Sequence, residues 1–425
     1  MSRNASTEPT RSAPLVATLT LGCKLNQAET QQAARELQRL GCLTVDRPTP
    51  ADAFLINTCT ITHVADRKAR RLIRMARRLS PDAPVIVTGC YAERAGAQLS
   101  ELPDIQVVAN ARKAEAAEAV YAALTDVAPT SATPPASAGR TRAFIKIQEG
   151  CDDVCAFCIV PRVRGRERAI PIDEIVAAVQ ERVVEGVREI VLTGTQPGAY
   201  GRDRSDGSTA AKLIDALLSR TDAARIRYSS IQPQDITPEL LSCWDDARLC
   251  RHVHLALQSG SDAVLSRMRR RYSAEQFIEA VAAFRRSAPG VSVTTDIIAG
   301  FPGETEDDHT ATLALMREVQ FTDVHVFPYS SRPGTSAALL SDDVPAEVKR
   351  RRAAELRELG ARHRRRALES EIGSLQSVLF ETPDTGLSDT YLPCRVESDH
   401  DLTNQLRSVR VTEVDHSGLV GELLR

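Results

Sequence analysis

The sequence alternates β-rich apolar runs with helical stretches from residue 15 to residue 327. In the first 125 residues the strand candidates are Leu15–Leu21, Ala53–Asn57, Pro84–Val87 and Ile105–Val108. A helical stretch follows each of them, at Asn26–Leu40, Val64–Leu79, Ala92–Leu99 and Ala111–Leu124. Repeated β-α units indicate a parallel sheet covered by helices, with ligands collecting beyond the carboxyl ends of the strands. We therefore predict an amino-terminal parallel α/β domain.

The alternation resumes after residues 127–139, a segment rich in proline, serine and alanine that we interpret as an interdomain linker. Six further strand candidates follow, at Ala143–Gln148, Glu189–Leu192, Ile226–Ser229, His252–Leu257, Ser292–Ile298 and Asp323–Phe327. Helical stretches separate them, including Asp173–Glu185, Ala210–Arg220, Ala274–Arg286 and Glu306–Glu318. Polar, glycine-bearing loops follow the strands, so we predict a full or partial parallel barrel with its site at the carboxyl ends.

The last part of the chain has a different pattern. Val344–Leu368 is a charged helical stretch that we expect to pack along the barrel and to present basic charge. Four alternating runs then predict a small antiparallel β-barrel, at Ser377–Glu381, Leu392–Glu397, Ser408–Val414 and Leu419–Leu424. The predicted fold class is α/β, with domains at residues 14–126, 140–370 and 371–425.

Three cysteines directly follow the apolar run at 144–147. Cys151, Cys155 and Cys158 have C-x3-C-x2-C spacing. A structural zinc site normally takes four protein ligands, and a second cysteine pair at zinc-site spacing is absent downstream. Thiolates also bind iron–sulfur clusters, so a four-iron cluster with one open iron fits three ligands. An atypical zinc site or a chance spacing remains the alternative.

Three other cysteines each follow a predicted strand of the first domain. Cys23, Cys59 and Cys90 occupy the same topological position after strands one, two and three, so they can converge into a second three-thiolate site. Alternatively, each is a small buried hydrophobic residue. Four cysteines lack such a placement, and we predict that they serve packing: Cys42, Cys243, Cys250 and Cys394.

Charge limits how this chain could bind nucleic acid. With 54 basic and 56 acidic residues the net charge is −2, so a phosphate-binding surface requires segregated charge. Arginines cluster at residues 67–78, 162–168, 267–271 and 349–366, although each cluster could be a solvated helix face. With aromatic residues at 4%, broad base-stacking platforms are not indicated.

We find neither a signal peptide nor a membrane-spanning run, so a cytoplasmic protein is expected. In a reducing compartment the ten cysteines are better interpreted as ligands or buried thiols than as disulfides. His252 and His254 are interpreted as ordinary strand residues, because no carboxylate or cysteine stands beside them at ligand spacing.

Several stretches together resemble the methylthiotransferase family of radical S-adenosylmethionine enzymes, over residues 14–424. They are residues 18–27, 57–59, 88–90, 151–161, 164–165, 255–261, 296–304 and 327–330. The resemblance implies an amino-terminal cluster domain, a partial (β/α)6 radical-enzyme barrel and a terminal RNA-binding barrel of the TRAM type.

By the same resemblance, Cys151, Cys155 and Cys158 hold the four-iron cluster that binds and cleaves S-adenosylmethionine. Cys23, Cys59 and Cys90 would hold an auxiliary four-iron cluster that carries the sulfur to be inserted, with both clusters facing one pocket. The residues that would shape the cofactor pocket are Phe157, Gly194, Gln258, Ile298 and Gly300. No catalytic residue beyond the cluster ligands is identified. The implied partners are tRNA, a reductant protein such as a flavodoxin or ferredoxin, and a sulfur donor, and we expect a monomer.

The substrate follows from a finer resemblance. Residues 21–27, Leu-Gly-Cys-Lys-Leu-Asn-Gln, resemble the branch that modifies carbon 2 of threonylcarbamoyladenosine next to the tRNA anticodon. The isopentenyladenosine branch usually has Gln-Met-Asn after that cysteine, and the ribosomal-protein branch has Pro-Lys-Asn. Pro197 and Arg162 depart from the pattern of the first branch, so these two substrates remain alternatives. A non-catalytic metal- and RNA-binding protein is a third alternative, distinguished by binding zinc.

Overall fold

The computed structural model describes residues 13–102, 104–124, 141–228 and 230–424. The chain divides into two compact units, residues 1–138 and 139–425. The predicted linker at 127–139 lies outside the described residues, and so does Ser229, the last residue of a predicted barrel strand. Within the described residues no helix is both long and apolar enough to cross a membrane.

The amino-terminal unit is a five-stranded parallel sheet in the order β2-β1-β3-β4-β5. Its strands are β1 Leu15–Thr20, β2 Leu43–Val45, β3 Ala53–Thr58, β4 Val85–Gly89 and β5 Ile105–Val107. Its helices are α1 Lys24–Arg39, α2 His63–Leu79, α3 Cys90–Ser100 and α4 Ala116–Leu124. The predicted α/β domain is thereby confirmed. Prediction missed β2, because a half-buried strand of three residues carries almost no periodic signal.

Apolar side chains on alternate positions of this sheet pack against helices on both faces. Phe54 and Ile56 of β3 pack with Ala69 and Ile73 of α2 on one face. On the other face, Leu55 packs with residues of α1 and α4, including Leu37 and Val120. The sheet is therefore buried on both sides, as parallel sheets require, and the carboxyl ends of its strands remain available for ligands.

The carboxyl-terminal unit begins with the predicted barrel. Its strands are β6 Arg142–Lys146, β7 Gln148–Glu149, β8 Arg168–Ala169, β9 Glu189–Thr193, β10 Arg225–Tyr228, β11 Ser230–Ile231, β12 His252–Leu255, β13 Ser292–Ala299 and β14 Asp323–Pro328. Its helices are α5 Val160–Arg164, α6 Ile172–Val184, α7 Ala210–Arg220, α8 Pro238–Ser242, α9 Asp262–Arg267, α10 Ala274–Ser287, α11 Glu306–Val319 and α12 Ala346–Ser370. All six predicted strands are present, together with the short β7, β8 and β11.

The long strands form two parallel sheets, β10-β9-β6 and β11-β12-β13-β14. Only residue 229 separates β10 from β11, so the second sheet begins directly after the first one along the chain. No described strand pairs with the outer edge of β6 or of β14, so the structure has the partial form of the predicted barrel. The outward side chains of the strands, such as Ile145 and Leu192, share one core with the surrounding helices, while the alternate side chains line the inner face.

A closed five-stranded barrel ends the chain, in the order β15-β16-β17-β19-β18. Its strands are β15 Leu375–Phe380, β16 Thr385–Ser388, β17 Pro393–Val396, β18 Leu406–Val414 and β19 Leu419–Leu423. The predicted β-barrel is confirmed, with β16 added. Cys394 lies in its core and Cys42 in a core of the first unit, as predicted for packing cysteines.

A buried charge cluster joins the terminal barrel to β9 and β10. Arg225 and Arg227 both bond the carboxylate of Glu189, which is 0% exposed. Their remaining N–H groups donate to backbone carbonyls of the terminal barrel, including Ser377 and Ser388, at 3.1 and 3.0 Å. Because Glu189, Arg225 and Arg227 are all buried, this junction is an integral part of the fold.

Helix α12 differs from its prediction in one respect. It packs on β14 through Leu356 and Leu359, as expected. Most of its basic side chains, however, are already neutralised within the protein. They bond acidic residues in the pairs Lys349–Asp342, Arg351–Glu306, Arg352–Glu304, Arg362–Glu358, Arg364–Asp323 and Arg365–Glu369. The expectation of a basic surface along this helix therefore holds only in part: Arg350 and Arg366 are exposed and form no ion pair among the described residues, but most of the other charges are paired.

Candidate metal and cofactor centres

Cys23, Cys59 and Cys90 follow the ends of three adjacent strands. Thr20 of β1 lies beside Asn57 of β3, and Thr58 of β3 lies beside Gly89 of β4. Each cysteine comes one to three residues after its strand, so all three lie at one edge of the sheet, with Cys59 in the middle. Cys59 and Cys90 are buried, whereas Cys23 is exposed.

Two glycines let the backbone approach this edge closely. Gly22 has φ +114°, and a Cβ there would lie 2.7 Å from Cβ of Cys59. Gly89 has φ +96°, and a Cβ there would lie 2.3 Å from the Thr58 carbonyl oxygen. Both positions combine a left-handed backbone with a contact that only glycine permits. These glycines therefore fix how near the three cysteine loops come to one another.

Asparagine side chains tie the loops together. Asn26 donates to the carbonyl oxygens of Leu21 and Thr58 at 2.7 and 3.0 Å, which connects the Cys23 loop to the end of β3. Asn57 donates to the Asn26 carbonyl at 3.0 Å. Two buried oxygens, Oδ1 of Asn57 and Oγ1 of Thr88, have no hydrogen-bond partner among the described residues. Such unsatisfied polar atoms beside a thiol site are available to a bound group.

Replacing Gly22 by alanine is expected to damage this site. The change adds backbone strain and a methyl group against Cys59, and should lower the free energy of unfolding by about 2 kcal/mol. Urea titration measures this loss, and iron content after reconstitution should fall with it. Gly41→Ala is the matched control, because Gly41 also has a positive φ, +89°, but nothing lies within 4 Å of its Cβ position. Equal iron content in the two variants would contradict the role of the close contact.

The second set of thiols lies in one loop between β7 and α5. The N–H of Cys151 donates to the Gly165 carbonyl at 3.2 Å, and that of Cys158 donates to Cys155 at 3.1 Å. Ala156 is bonded through its N–H to Met268 at 2.9 Å and through its carbonyl to Ala337 at 2.8 Å. The loop is thus held from both sides, and its three cysteines are half-buried.

Polar groups surround these thiols. Burial raises the pKa of the Cys151 thiol to about 12, and the nearby Cys155 and Cys158 add to this shift, so the free thiol is protonated at neutral pH. It donates to Oε1 of Gln196 at 3.1 Å. Nη1 of Arg270 lies 3.2 Å from Sγ of Cys155. Burial lowers the pKa of Arg270, but Tyr272 and Cys155 raise it by more, so this cation stays charged beside the Cys155 sulfur.

The five predicted cofactor-pocket residues are dispersed around the same end of the barrel. Phe157 and Ile298 pack against one apolar cluster that also contains Phe301 and Tyr329. Gln258 has φ +67°, and its backbone bonds β13, accepting from Ile298 at 2.9 Å. The part of these five residues in binding a cofactor stays a prediction.

The two predicted glycines have clear structural reasons. A Cβ at Gly194 would lie 2.8 Å from the carbonyl oxygen of Gln148, and Oε1 of Gln148 accepts from Thr195 and Gln196. A Cβ at Gly300 would lie 2.3 Å from Cγ of Lys349. The Gly300 N–H donates to both oxygens of Glu304 at 3.1 Å. Both glycines therefore allow close packing of the loops around the site.

Sequence reasoning missed several polar residues here. Arg270 was counted only as part of an arginine cluster, and nothing in the local pattern shows its contact with Cys155. His254 lies in strand β12, as predicted, but the sequence did not show that its Nε2 lies 3.3 Å from Oδ1 of Asp296 on the neighbouring strand. The His254 ring also stacks on His325, with centroids 6.4 Å apart. These neighbours come from separate strands, so sequence spacing could not reveal them.

Three cysteines at one site fit an iron–sulfur cluster in which the protein holds three of the irons. In the described residues, no group of three or more His, Cys, Asp or Glu side chains is close enough to hold one metal ion. In a four-iron cluster each cysteine binds a different iron, so its thiolates stand further apart than the ligands of one ion. The barrel loop fits such a group. It carries three cysteines, the Arg270 cation lies beside Cys155, and Gln196 lies beside Cys151.

Comparison with known proteins agrees with this geometry. Residues 145–316 match the family model of the Radical SAM superfamily, and residues 15–110 match that of Uncharacterized protein family UPF0004. The chain is 35% identical over 443 residues to the threonylcarbamoyladenosine tRNA methylthiotransferase MtaB of Bacillus subtilis, covering 96% of each protein. The chain belongs to the radical S-adenosylmethionine methylthiotransferases. Members of the radical superfamily use S-adenosylmethionine and a four-iron cluster, and this enzyme therefore does so too.

Other similarities support the family and the fold. The methylthiotransferase is 34% identical over 433 residues to the tRNA-2-methylthio-N(6)-dimethylallyladenosine synthase of Trichlorobacter lovleyi, covering 95% of this chain and 98% of that one. Among solved structures it resembles the radical S-adenosylmethionine methyltransferase TsrM of Kitasatospora setae, with a TM-score of 0.56. Sequence identity there is 15%, over 76% of this chain and 74% of the other, so this likeness shows the fold alone.

Proposed function

We propose that this methylthiotransferase adds a methylthio group to carbon 2 of threonylcarbamoyladenosine next to the anticodon of tRNA. Relatives in Bacillus subtilis, Chlamydia pneumoniae and Thermotoga maritima carry the name of this activity. The observation that carries the proposal is the pair of three-cysteine sites, one at the edge of the amino-terminal sheet and one in the barrel loop. A radical enzyme without sulfur transfer would need only the second of them.

We propose that Cys151, Cys155 and Cys158 hold the superfamily cluster, and that Cys23, Cys59 and Cys90 hold an auxiliary one. When bound, the first supplies the electron that cleaves S-adenosylmethionine to a 5′-deoxyadenosyl radical, and the second supplies the sulfur to be inserted. The charged guanidinium of Arg270 lies beside the Cys155 sulfur, and the side-chain amide of Gln196 lies beside that of Cys151. Gly22 and Gly89 allow the three loops of the auxiliary site to come close together.

The apolar cluster around Phe157 and Ile298 would cover one side of the bound cofactor and exclude water from the radical. Gly194 and Gly300 would shape the pocket indirectly, because they let Gln148 and Lys349 pack closely against the loops, and Gln258 would turn its loop through a left-handed backbone. The boundaries at 14–126, 140–370 and 371–425 are part of this proposal. A reductant protein, a sulfur donor and a monomeric state stay predictions.

Mass spectrometry of tRNA nucleosides tests the proposed substrate. In cells lacking this protein, 2-methylthio-threonylcarbamoyladenosine should disappear and threonylcarbamoyladenosine should accumulate. Reintroducing the gene should restore the product, and a Cys155→Ala variant, which lacks a cluster ligand, should not. Loss of the dimethylallyl product instead would establish the activity named for the Trichlorobacter lovleyi relative. No change in either nucleoside would reject both.

A further inference from the structure

Helices α2 and α12 are both rich in arginine, but they differ in how many of their basic side chains form ion pairs. In α12, glutamates one turn away neutralise arginines in the pairs Arg351–Glu355, Arg362–Glu358 and Arg365–Glu369. In α2 the only acidic residue is Asp66, and it is buried and paired with Arg94 at 2.8 Å. Six basic side chains of α12 therefore have acidic partners, whereas among the described residues most of those of α2 have none.

The basic side chains of α2 point into solvent. Arg67, Lys68, Arg71, Arg74 and Arg78 are all exposed. Within the described part of the chain none of these five forms an ion pair. Of the other two basic residues of the helix, Arg77 pairs with Asp104 at 2.9 Å and Arg70 donates to the Tyr91 hydroxyl at 3.1 Å. The helix thus presents a continuous cationic face, although the net charge of the whole protein is −2.

This arrangement is unfavourable for the free protein. Arg67 and Arg71, and likewise Arg74 and Arg78, stand four residues apart on the helix, where like charges repel and destabilise. The inner face of α2 holds it in place through Ala69, Ile73 and Ala76, which belong to the core under the sheet. The outer charges therefore contribute nothing to folding, and a polyanion would relieve their repulsion.

The position of α2 indicates what the anion would be. The helix begins at His63, four residues after Cys59, so its first turns start at the edge of the sheet where the three cysteines lie. From there it extends about 25 Å at 1.5 Å per residue. A helix of this length can follow several phosphates of one nucleic-acid strand.

We propose that the exposed face of α2, formed by Arg67, Lys68, Arg71, Arg74 and Arg78, binds the phosphate backbone of the RNA substrate. This inference rests on the proposed function and adds the surface by which the RNA is held beside the auxiliary thiol site. The contacts are with phosphates, so they supply affinity and orientation rather than base recognition. We assign no such role to Arg351, Arg362 and Arg365 of α12, because these three charges are paired with glutamates within the protein.

The test compares two triple variants of the full-length, reconstituted enzyme. Arg67→Gln, Arg71→Gln and Arg74→Gln together remove three charges from α2. Arg351→Gln, Arg362→Gln and Arg365→Gln together remove three charges from α12 and serve as the matched control. Binding of unmodified tRNA transcript is measured between 50 and 200 mM salt, chosen as roughly the range over which phosphate contacts dominate.

We expect the α2 variant to bind tRNA roughly 10- to 100-fold more weakly at low salt. The slope of log affinity against log salt should fall by about 2 to 3, while the α12 variant should keep the slope of the unsubstituted enzyme. Cleavage of S-adenosylmethionine without tRNA should be unchanged in both variants. The melting temperature of the α2 variant should stay the same or rise, because repulsion is removed, which separates lost binding from misfolding.

Three outcomes would overturn the inference. In the first, the α2 variant keeps its affinity and slope; in the second, both variants weaken equally, which would mean that only total charge matters. In the third, α2 charge governs binding to phosphatidylglycerol vesicles but not to tRNA. An unsubstituted enzyme that binds no tRNA would instead overturn the proposed function, so the two failures are distinguishable.

Discussion

Cys59→Ala should abolish methylthiolation of tRNA while reductive cleavage of S-adenosylmethionine continues. Cys59 occupies the middle of the three strand ends, between the loops of Cys23 and Cys90. Losing it would leave two thiols, which are too few to hold the auxiliary cluster. The barrel loop with Cys151, Cys155 and Cys158 is not altered by this change. We expect iron to fall from about eight to about four atoms per chain, and product formation to fall by more than about 100-fold.

Two measurements on reconstituted protein check this result. Metal analysis gives the iron content, and chromatography of the reaction gives 5′-deoxyadenosine and the modified nucleoside separately. Cys42→Ala is the matched control, because Cys42 is also buried in the same unit but packs in an apolar core away from the strand ends. The Cys42→Ala variant should keep the full iron content, and it should keep both the cleavage of S-adenosylmethionine and the methylthiolation of tRNA. A Cys59→Ala enzyme that still methylthiolates tRNA would show that the amino-terminal thiols are packing residues.

Glu189→Gln should destabilise the protein by about 3 to 5 kcal/mol. Glu189 is the shared counterion of Arg225 and Arg227, and Arg227 is itself fully buried. Removing one partner from a buried ion cluster leaves charge without compensation, and such changes have large costs. The remaining contacts of the two arginines run to backbone carbonyls of the terminal barrel, so we expect that barrel to loosen in the variant.

The pH dependence of this effect has a defined sign. Burial would raise the pKa of Glu189, but Arg227 and Arg225 outweigh it and lower the pKa to about 2. A carboxylate whose pKa is lowered by folding stabilises the folded state at every pH above its pKa in the unfolded chain. This contribution, about 3 kcal/mol, is lost as the pH falls toward 2. The difference between Glu189→Gln and the unsubstituted protein should therefore be complete above about pH 5 and shrink in acid. Urea unfolding of the metal-free proteins at several pH values measures it.

Glu306→Gln provides the comparison for this prediction. Glu306 also pairs with two arginines, Arg351 and Arg352, but its side chain is 57% exposed. Solvent screens such surface pairs, so its replacement should cost less than about 1 kcal/mol. If the two substitutions lower the free energy of unfolding equally, the buried Glu189 cluster stabilises the protein no more than a surface ion pair does. A difference that does not shrink in acid would contradict the assignment to its ionised form.

The sequence by itself determined the order of strands and helices and the position of all six thiols at strand ends or in one loop. These features depend on local patterns, because apolar periodicity repeats every two or 3.6 residues and parallel strands place their ends at one edge. The short β2 and β16 escaped this reasoning because they span too few residues to show a period.

Only the tertiary structure decided which charges have partners. Arg270 lies at Cys155 across 115 residues of sequence, His254 meets Asp296 from a neighbouring strand, and Glu189 meets arginines 36 and 38 residues away. In α12, likewise, Arg352 pairs with Glu304 and Arg364 with Asp323, which lie 48 and 41 residues away. A side chain's partner is set by how the strands and helices pack, and packing joins residues whose separation in the chain carries no local signal.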